Sequence, residues 1–429
     1  MVHTARRFAF LVVFVLALAG CASSSLQMAS TPEEVRLSSQ RLKEFSAAMQ
    51  AKVDAGELPG AVILVARDGK VAYVDAVGYR DREAKAPMPK DALFSLMSMT
   101  KPITTAAAMI LVEEGKLKLS DPISKYLPEY RQLQVGVERP GADGKPMLAT
   151  EPARAQITVL DLMRHTSGIT YGPFGKSLVK DAYNAADLWN LGQSTGEFAI
   201  KVSKLPLQYQ PGTQWDYGMS TDVLGRVVEV AAATPLDQFV TSRILKPLKM
   251  NDTAYSVEPG SVGRVAEPQV IASTGKRPQF LSFVQKPKWI GGGHGLISSA
   301  QDYVRFCQMI LNGGTLDGAR ILSKESVDLM AANHLTAATA RPIPVPGNIL
   351  APSHENGQGF GLGFAVRTSQ GTNNIPGSIG DLSWGGAYGT FFWIDPKERL
   401  VAILMTQSPA NVNQPLRRVA REHVYRALR

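Results

Sequence analysis

Phe94-Ser95-Leu96-Met97-Ser98-Met99-Thr100-Lys101-Pro102, with the apolar run Ala106 to Val112 and then Gly115 behind it, is the stretch on which the fold turns. Pro102 suits the first turn of a helix, where its missing N–H costs nothing, and Gly115 suits the residue that ends one. The spacing predicts a helix starting near Ser98. Its run is apolar all round, so the helix belongs inside the protein. Residues three apart share a helix face, so Ser98 and Lys101 would stand side by side at the positive end of the dipole. A desolvated lysine can be neutral enough to take a serine proton, which makes Ser98 a candidate nucleophile and Lys101 its base. The plainer alternative is Ser98 as a helix cap with Lys101 exposed one turn on. The same four-residue spacing recurs at Ser177 and Ser273, but neither opens a long apolar helix, and Ser273-Thr274-Gly275-Lys276 reads as a turn.

Upstream, Thr31 to Ala55 reads as an opening helix with Thr31 as cap and Pro32 at its first position. Ala61 to Arg67 and Val71 to Val77 are β-rich runs joined through Asp68-Gly69, the pair a type I′ hairpin turn requires. Both runs are apolar nearly throughout, so the pair is expected inside a sheet covered by helices. From Leu117 to about Phe280 the pattern changes to helices broken by Pro and Gly, clearest at Thr158 to His165 and Ser220 to Ala233, and Thr234-Pro235-Leu236-Asp237 opens another with Thr234 as its cap. Beyond the tight Gly291-Gly292-Gly293-His294-Gly295 loop, Ser299 caps a helix ending at Asn312-Gly313-Gly314. Two apolar strands, Gly389 to Asp395 and Leu400 to Thr406, precede a closing helix from Pro415 to Leu428. The expected fold is α/β (α+β): a central antiparallel sheet built from both chain ends, with helices on both faces and an inserted, mainly helical lobe. Residues 31–116 and 290–429 would form the sheet domain carrying the nucleophile helix, and 117–289 the lobe.

At 429 residues, 45% hydrophobic and 19% charged, the chain has ample core for two lobes. The formal charge is +9, of which Arg6 and Arg7 lie in a leader expected to be removed, leaving +7. No basic block with interleaved aromatics is present, so nucleic-acid binding is set aside. Met1 to Gly20 has a basic start and an apolar core from Phe8 to Leu18, the outline of a signal peptide. Leu18-Ala19-Gly20-Cys21 resembles a bacterial lipobox, which implies cleavage after residue 20, lipidation of Cys21 and a tether over residues 22–30. Without an Asp after the Cys, the expected address is an outer-membrane anchor facing the periplasm. Cys307 then remains alone in an apolar helical pattern, so a buried inert thiol is expected. The six His show no ligand spacing, and no metal or other cofactor is expected.

Two further stretches look like site material. Gln210 to Ser220, Gln-Pro-Gly-Thr-Gln-Trp-Asp-Tyr-Gly-Met-Ser, delivers Tyr217 from a turn onto the start of a helix. Ser383-Trp384-Gly385-Gly386-Ala387-Tyr388-Gly389 places small residues ahead of a strand, where a substrate could approach bare N–H groups.

In this order the three elements resemble the serine β-lactamase and penicillin-binding protein superfamily, whose signature begins with Ser-x-x-Lys. The likeness is greatest to class C β-lactamases and family VIII carboxylesterases, and it runs through Leu162 to Gly168, Gly293 to Ser298 and Gly389 to Pro396. It implies that Ser98 is acylated, that Lys101 is its base partner, and that Tyr217 relays the proton to the leaving oxygen or activates water. It also implies an oxyanion hole from the backbone N–H groups of Ser98 and Ala387, with Trp384, Gly385, Gly386 and Tyr388 around the substrate. Two departures matter. Met219 stands where class C enzymes have an asparagine, and Trp384-Gly385-Gly386 replaces their Lys-Thr-Gly. Losing that cation removes an anchor for anionic substrates, while an indole offers an apolar wall.

Gly192-Gln193-Ser194-Thr195-Gly196 also matches the nucleophile elbow of α/β-hydrolases, but that elbow needs a strand before it, and Asp181 to Asn190 reads as an amphipathic helix. The expected activity is therefore acyl-enzyme hydrolysis of short- to medium-chain carboxylic esters. The alternatives are a β-lactamase or D-Ala-D-Ala carboxypeptidase acting on β-lactam-like or cell-wall substrates, or a non-catalytic peptidoglycan-binding relative. Replacing Cys21 (Cys21→Ser) is expected to release the protein from the membrane fraction on cell fractionation; unchanged association would refute lipidation there.

Overall fold

The computed structural model describes residues 26–270, 275–277, 285–336, 339, 350–408 and 410–429. The leader with Cys21, and the Ser and Thr of the motif at Ser273, lie outside them. A nine-stranded sheet forms the centre. Its long middle strand is Gly60–Arg67, buried at every position and flanked by Lys70–Asp81 on one side and Leu400–Met405 on the other. Beyond Leu400–Met405 come Phe391–Asp395, Leu382–Gly385, Ala365–Arg367 and Gln358–Phe360, all antiparallel. The first and last thirds of the chain thus share one sheet, as the apolar strand runs at both ends anticipate. Asp68 and Gly69 both have positive φ, +54° and +76°, which is the type I′ geometry that lets the hairpin follow the sheet's twist. The second hairpin strand is only partly covered, because its outer neighbour is the two-residue strand Gln27–Met28. That short strand runs parallel, so the sheet is antiparallel everywhere but at this edge.

Helices Ser39–Asp54 and Ala410–Arg426 pack together on one face, and Ala300–Leu311 lies across the central strands. The helix Thr100–Glu113 is buried at every residue from Thr100 to Leu111. It ends where expected: Gly115 at φ +69° lets Lys116 N–H reach the Leu111 carbonyl, 2.9 Å away. Among the described residues no helix is long and apolar enough to cross a membrane.

Three local expectations fail. The opening helix is two pieces, a 3₁₀ turn Pro32–Val35 and the helix Ser39–Asp54. Between them Arg36 turns left-handed at φ +58° and Leu37 bridges Leu428, so the chain end interrupts the helix and Ser38, not Thr31, caps it. The lobe is not purely helical either. Gln134–Pro140 pairs with Pro146–Pro152 in a hairpin whose residues are mostly exposed, with polar residues on both faces, which hides any period-2 pattern. Thr234 does not cap the next helix; its hydroxyl turns back to the Ala232 carbonyl at 3.1 Å.

The closing helix is fastened to the sheet by a buried charge triad. Asp381 accepts from Arg367 Nε at 2.8 Å and from Arg421 Nη1 and Nη2 at 2.8 and 3.0 Å, and all three side chains are at most 1% exposed. Removing the carboxylate would strand two guanidinium groups in the core, so Asp381→Ala is expected to lose about 3–5 kcal/mol in chemical denaturation. A loss below about 1 kcal/mol would show that the triad contributes little.

Candidate active site

Met97 is left-handed, at φ +48°, and this sharp turn ahead of the Thr100–Glu113 helix leaves Ser98 half-buried while Met97 and Met99 are buried. Ser98 caps nothing: neither the 3₁₀ turn Met97–Met99 nor the helix after it has a side-chain cap. Its hydroxyl is instead held by the two groups the sequence selected. Lys101 Nζ donates to Ser98 Oγ at 3.2 Å, and Tyr217 Oη donates to the same oxygen at 2.6 Å. Lys101 is fully buried, and its other two donors go to Tyr171 Oη at 3.3 Å and the Gly293 carbonyl at 2.9 Å.

Tyr217 is delivered by a backbone zipper. Gly212 N–H bonds to the Thr166 carbonyl at 2.8 Å and Asp216 N–H to the His165 carbonyl at 2.9 Å, so the Gln210 to Ser220 turn lies along Leu162 to Gly168. Gly218 is required for the fit: a Cβ there would stand 2.1 Å from the Ile169 carbonyl oxygen. Ser167 Oγ and Ser220 Oγ, 2.8 Å apart, tie the same segments at the start of the helix Ser220–Ala232. His165 packs 4.9 Å from the Tyr217 ring; burial, and then the charge of Lys101, push its pKa well down, so it is a neutral packing ring.

The third element reaches the turn that carries Ser98 through its glycines. A Cβ on Gly386 would sit 2.4 Å from the Leu96 carbonyl oxygen, and Thr390 Oγ1 donates to that oxygen at 3.0 Å. Gly385 leaves room for Arg417, whose Nη2 donates to the Gly386 carbonyl at 3.1 Å. Trp384 is 3% exposed and stands edge-on to Tyr217, 5.2 Å between ring centroids, so the indole supports the phenol rather than lying open. Ala387 is exposed; Tyr388 is partly covered, its phenol pushed up to about 12 by burial. Met219 is 2% exposed and belongs to the core.

Sequence reasoning missed several neighbours. Tyr171 touches Lys101 but carries no signal of residue type or spacing; burial, then the nearby Asp222 charge, keep its pKa well above the ordinary range. Arg417 places a buried cation behind the third element, on a helix whose pattern shows only amphipathicity. Phe174 and Trp189, 42% and 37% exposed, stand 5.5 and 6.1 Å from the Tyr171 ring.

The comparisons with known proteins bear on this arrangement. The beta-lactamase family model matches residues 45–425. The chain belongs to the beta-lactamase family. It is 38% identical to Protein Rv1367c of Mycobacterium tuberculosis over 367 residues, covering 84% of this chain and 88% of that protein. Esterase EstB of Burkholderia gladioli is 32% identical over 389 residues, 86% of this chain and 91% of the esterase. Among solved structures, Simvastatin Synthase (LovD) from Aspergillus terreus superimposes with a TM-score of 0.75 at 25% identity, over 90% of this chain and 98% of that one. The family and its esterase members make this chain a hydrolase of the serine type.

The elbow-like pentapeptide has a structural explanation. Helix Leu178–Ala185, not a strand, precedes it, and Ser194 caps the helix Thr195–Ser203 in a capping box with Glu197. Ser177 likewise caps Leu178–Ala185. Ser194→Ala is expected to leave ester turnover unchanged and to cost about 1 kcal/mol of stability, read in denaturation and steady-state assays. Loss of turnover with the fold intact would reopen the elbow.

Proposed function

We propose that the protein hydrolyses neutral, short- to medium-chain carboxylic esters through an acyl-enzyme on Ser98. The observation that carries this is the double hold on one oxygen, with Lys101 Nζ and Tyr217 Oη both within hydrogen-bond reach of Ser98 Oγ. Ser98 Oγ attacks the ester carbon as its proton passes to Lys101; the N–H groups of Ser98 and Ala387 are the donors for the developing oxyanion. The bond to the alcohol oxygen then breaks and Tyr217 supplies that oxygen with a proton. Water enters by the reverse of these steps, releases the acid and restores the serine hydroxyl.

Neutral esters are favoured over β-lactams or peptides because Trp384 occupies the place of the family's lysine. Arg417, the cation in that region, is 6% exposed and spends a donor on Gly386. The half-exposed rings of Phe174 and Trp189 beside Tyr171 offer apolar surface for an alkyl or acyl group. The likeness to Esterase EstB supports the same reading. We place the enzyme on the periplasmic side of the outer membrane, on the strength of the residues around Cys21.

Ser98→Ala is expected to lower p-nitrophenyl butyrate hydrolysis by at least about a thousandfold, and Tyr217→Phe by about a hundredfold or more. Equal turnover by wild type and Ser98→Ala would overturn the proposal. Rapid cephalosporin hydrolysis with little ester turnover would replace it with a lactamase.

A further inference from the structure

Lys101 is a fully buried amine with no carboxylate among its hydrogen-bond partners in the described residues. Yet one buried carboxylate lies a single residue away. Gly293, whose carbonyl accepts from Lys101 Nζ, donates its own N–H to Asp222 Oδ1 at 2.9 Å. Asp222 is fully buried on the helix Ser220–Ala232, and the same oxygen meets His294 Nδ1 at 3.1 Å. Its second oxygen has no hydrogen-bond partner among the described residues.

The loop is gripped from both helices beside it. Thr104, on the nucleophile helix, donates to the Gly292 carbonyl at 2.6 Å, and a Cβ on Gly292 would stand 2.6 Å from the Thr221 carbonyl oxygen. A Cβ on Gly293 would stand 2.4 Å from Asp222 Oδ2, and one on Gly291 2.3 Å from the His294 ring. The His294 ring is itself walled by Trp189 and Trp289, 5.2 and 4.6 Å away. A buried unpaired carboxylate is costly unless positive charge faces it.

We propose that Asp222 is a positioning residue for Lys101: clamped by His294, it fixes the Gly293 residue that holds the amine and supplies the negative charge beneath it. Burial alone would raise the Asp222 pKa; His294, Lys101 and the Gly293 N–H outweigh burial and hold it below the usual carboxylate range, so the group is ionised. The groups facing Lys101 are Ser98, Tyr171, Tyr217, His165 and Asp222; those facing Asp222 are His294, Lys101, Tyr171 and Tyr255. Both tyrosines beside Asp222, Tyr171 and Tyr255, have their pKa values pushed up by burial, so they stay neutral. Asp222 is thus the only anion in these two sets. A negative charge favours the ammonium, and the base must be neutral to work, so Asp222 sets the pH at which Ser98 becomes reactive.

The inference rests on the ester-hydrolase reading in taking Lys101 as the base. The test is the rate at which a fluorophosphonate labels Ser98 in the purified full-length protein, followed against pH. In that reaction the Oγ–P bond forms, fluoride leaves and the serine proton passes to Lys101. Asp222→Asn is expected to move the acid midpoint of labelling down by about one pH unit, since removing the charge makes the amine easier to deprotonate. If that variant does not fold, Asp222→Ser, which also removes the charge, carries the same expectation. A lower plateau with an unmoved midpoint would reduce Asp222 to a packing residue and overturn the inference. No labelling of Ser98 in the wild type at any pH would overturn the ester-hydrolase reading instead, and the inference with it.

Discussion

The burial of Lys101 is the constraint around which the molecule is arranged. An amine with no access to water must find a partner for each of its donors inside the protein, and an unmet one costs about 1–3 kcal/mol or more. Its three acceptors come from three separate parts of the chain: Ser98 one turn back, Tyr171 in the loop after the helix Val159–Met163, and Gly293 in the loop before Ile297. Meeting that demand brings the helix Thr100–Glu113, the segment after Val159–Met163 and the glycine loop before Ile297 to one point. The site is therefore a consequence of satisfying one buried amine, and its geometry is stiff because each contact also serves the core.

The sheet does the complementary task. Pairing Gly60–Arg67 with Leu400–Met405 brings the two chain ends together, and the strands beyond carry Trp384-Gly385-Gly386 to the Leu96 carbonyl. Small residues there let two backbones meet, which a side chain at Gly386 would prevent. Trp384 is buried against Tyr217 and Phe360, so its contribution is to hold the phenol in place as much as to shape the space beside it. A cation behind the strand, Arg417, is shielded from that space.

Much of this was legible in the chain. Pro102 and Gly115 bracket the central helix, Asp68-Gly69 makes the hairpin turn, Ser299 caps its helix, and Tyr217 sits where its turn meets a helix; each signal is local and obeys the backbone's own preferences. What escaped was set by partners far away. Thr31 to Ala55 has good helical chemistry throughout, yet Leu428 pairs with Leu37 and breaks it. The hairpin of Gln134–Pro140 and Pro146–Pro152 has polar residues on both faces and no period to betray it. Tyr171 and Asp222 are ordinary residues in ordinary surroundings until the fold sets them against Lys101 and Gly293.

By itself the sequence singled out Ser98, Lys101 and Tyr217, which the fold brings together, along with the family and the sheet shared by the two chain ends. These depend on spacing along one helix and on apolar runs, which neighbours in the chain dictate. The tertiary structure alone decided which groups hold the buried amine, that Trp384 is packed rather than open, and that Ser194 and Ser177 are helix caps. Those outcomes turn on burial and on contacts between residues far apart in the chain, and neither quantity exists until the chain has folded.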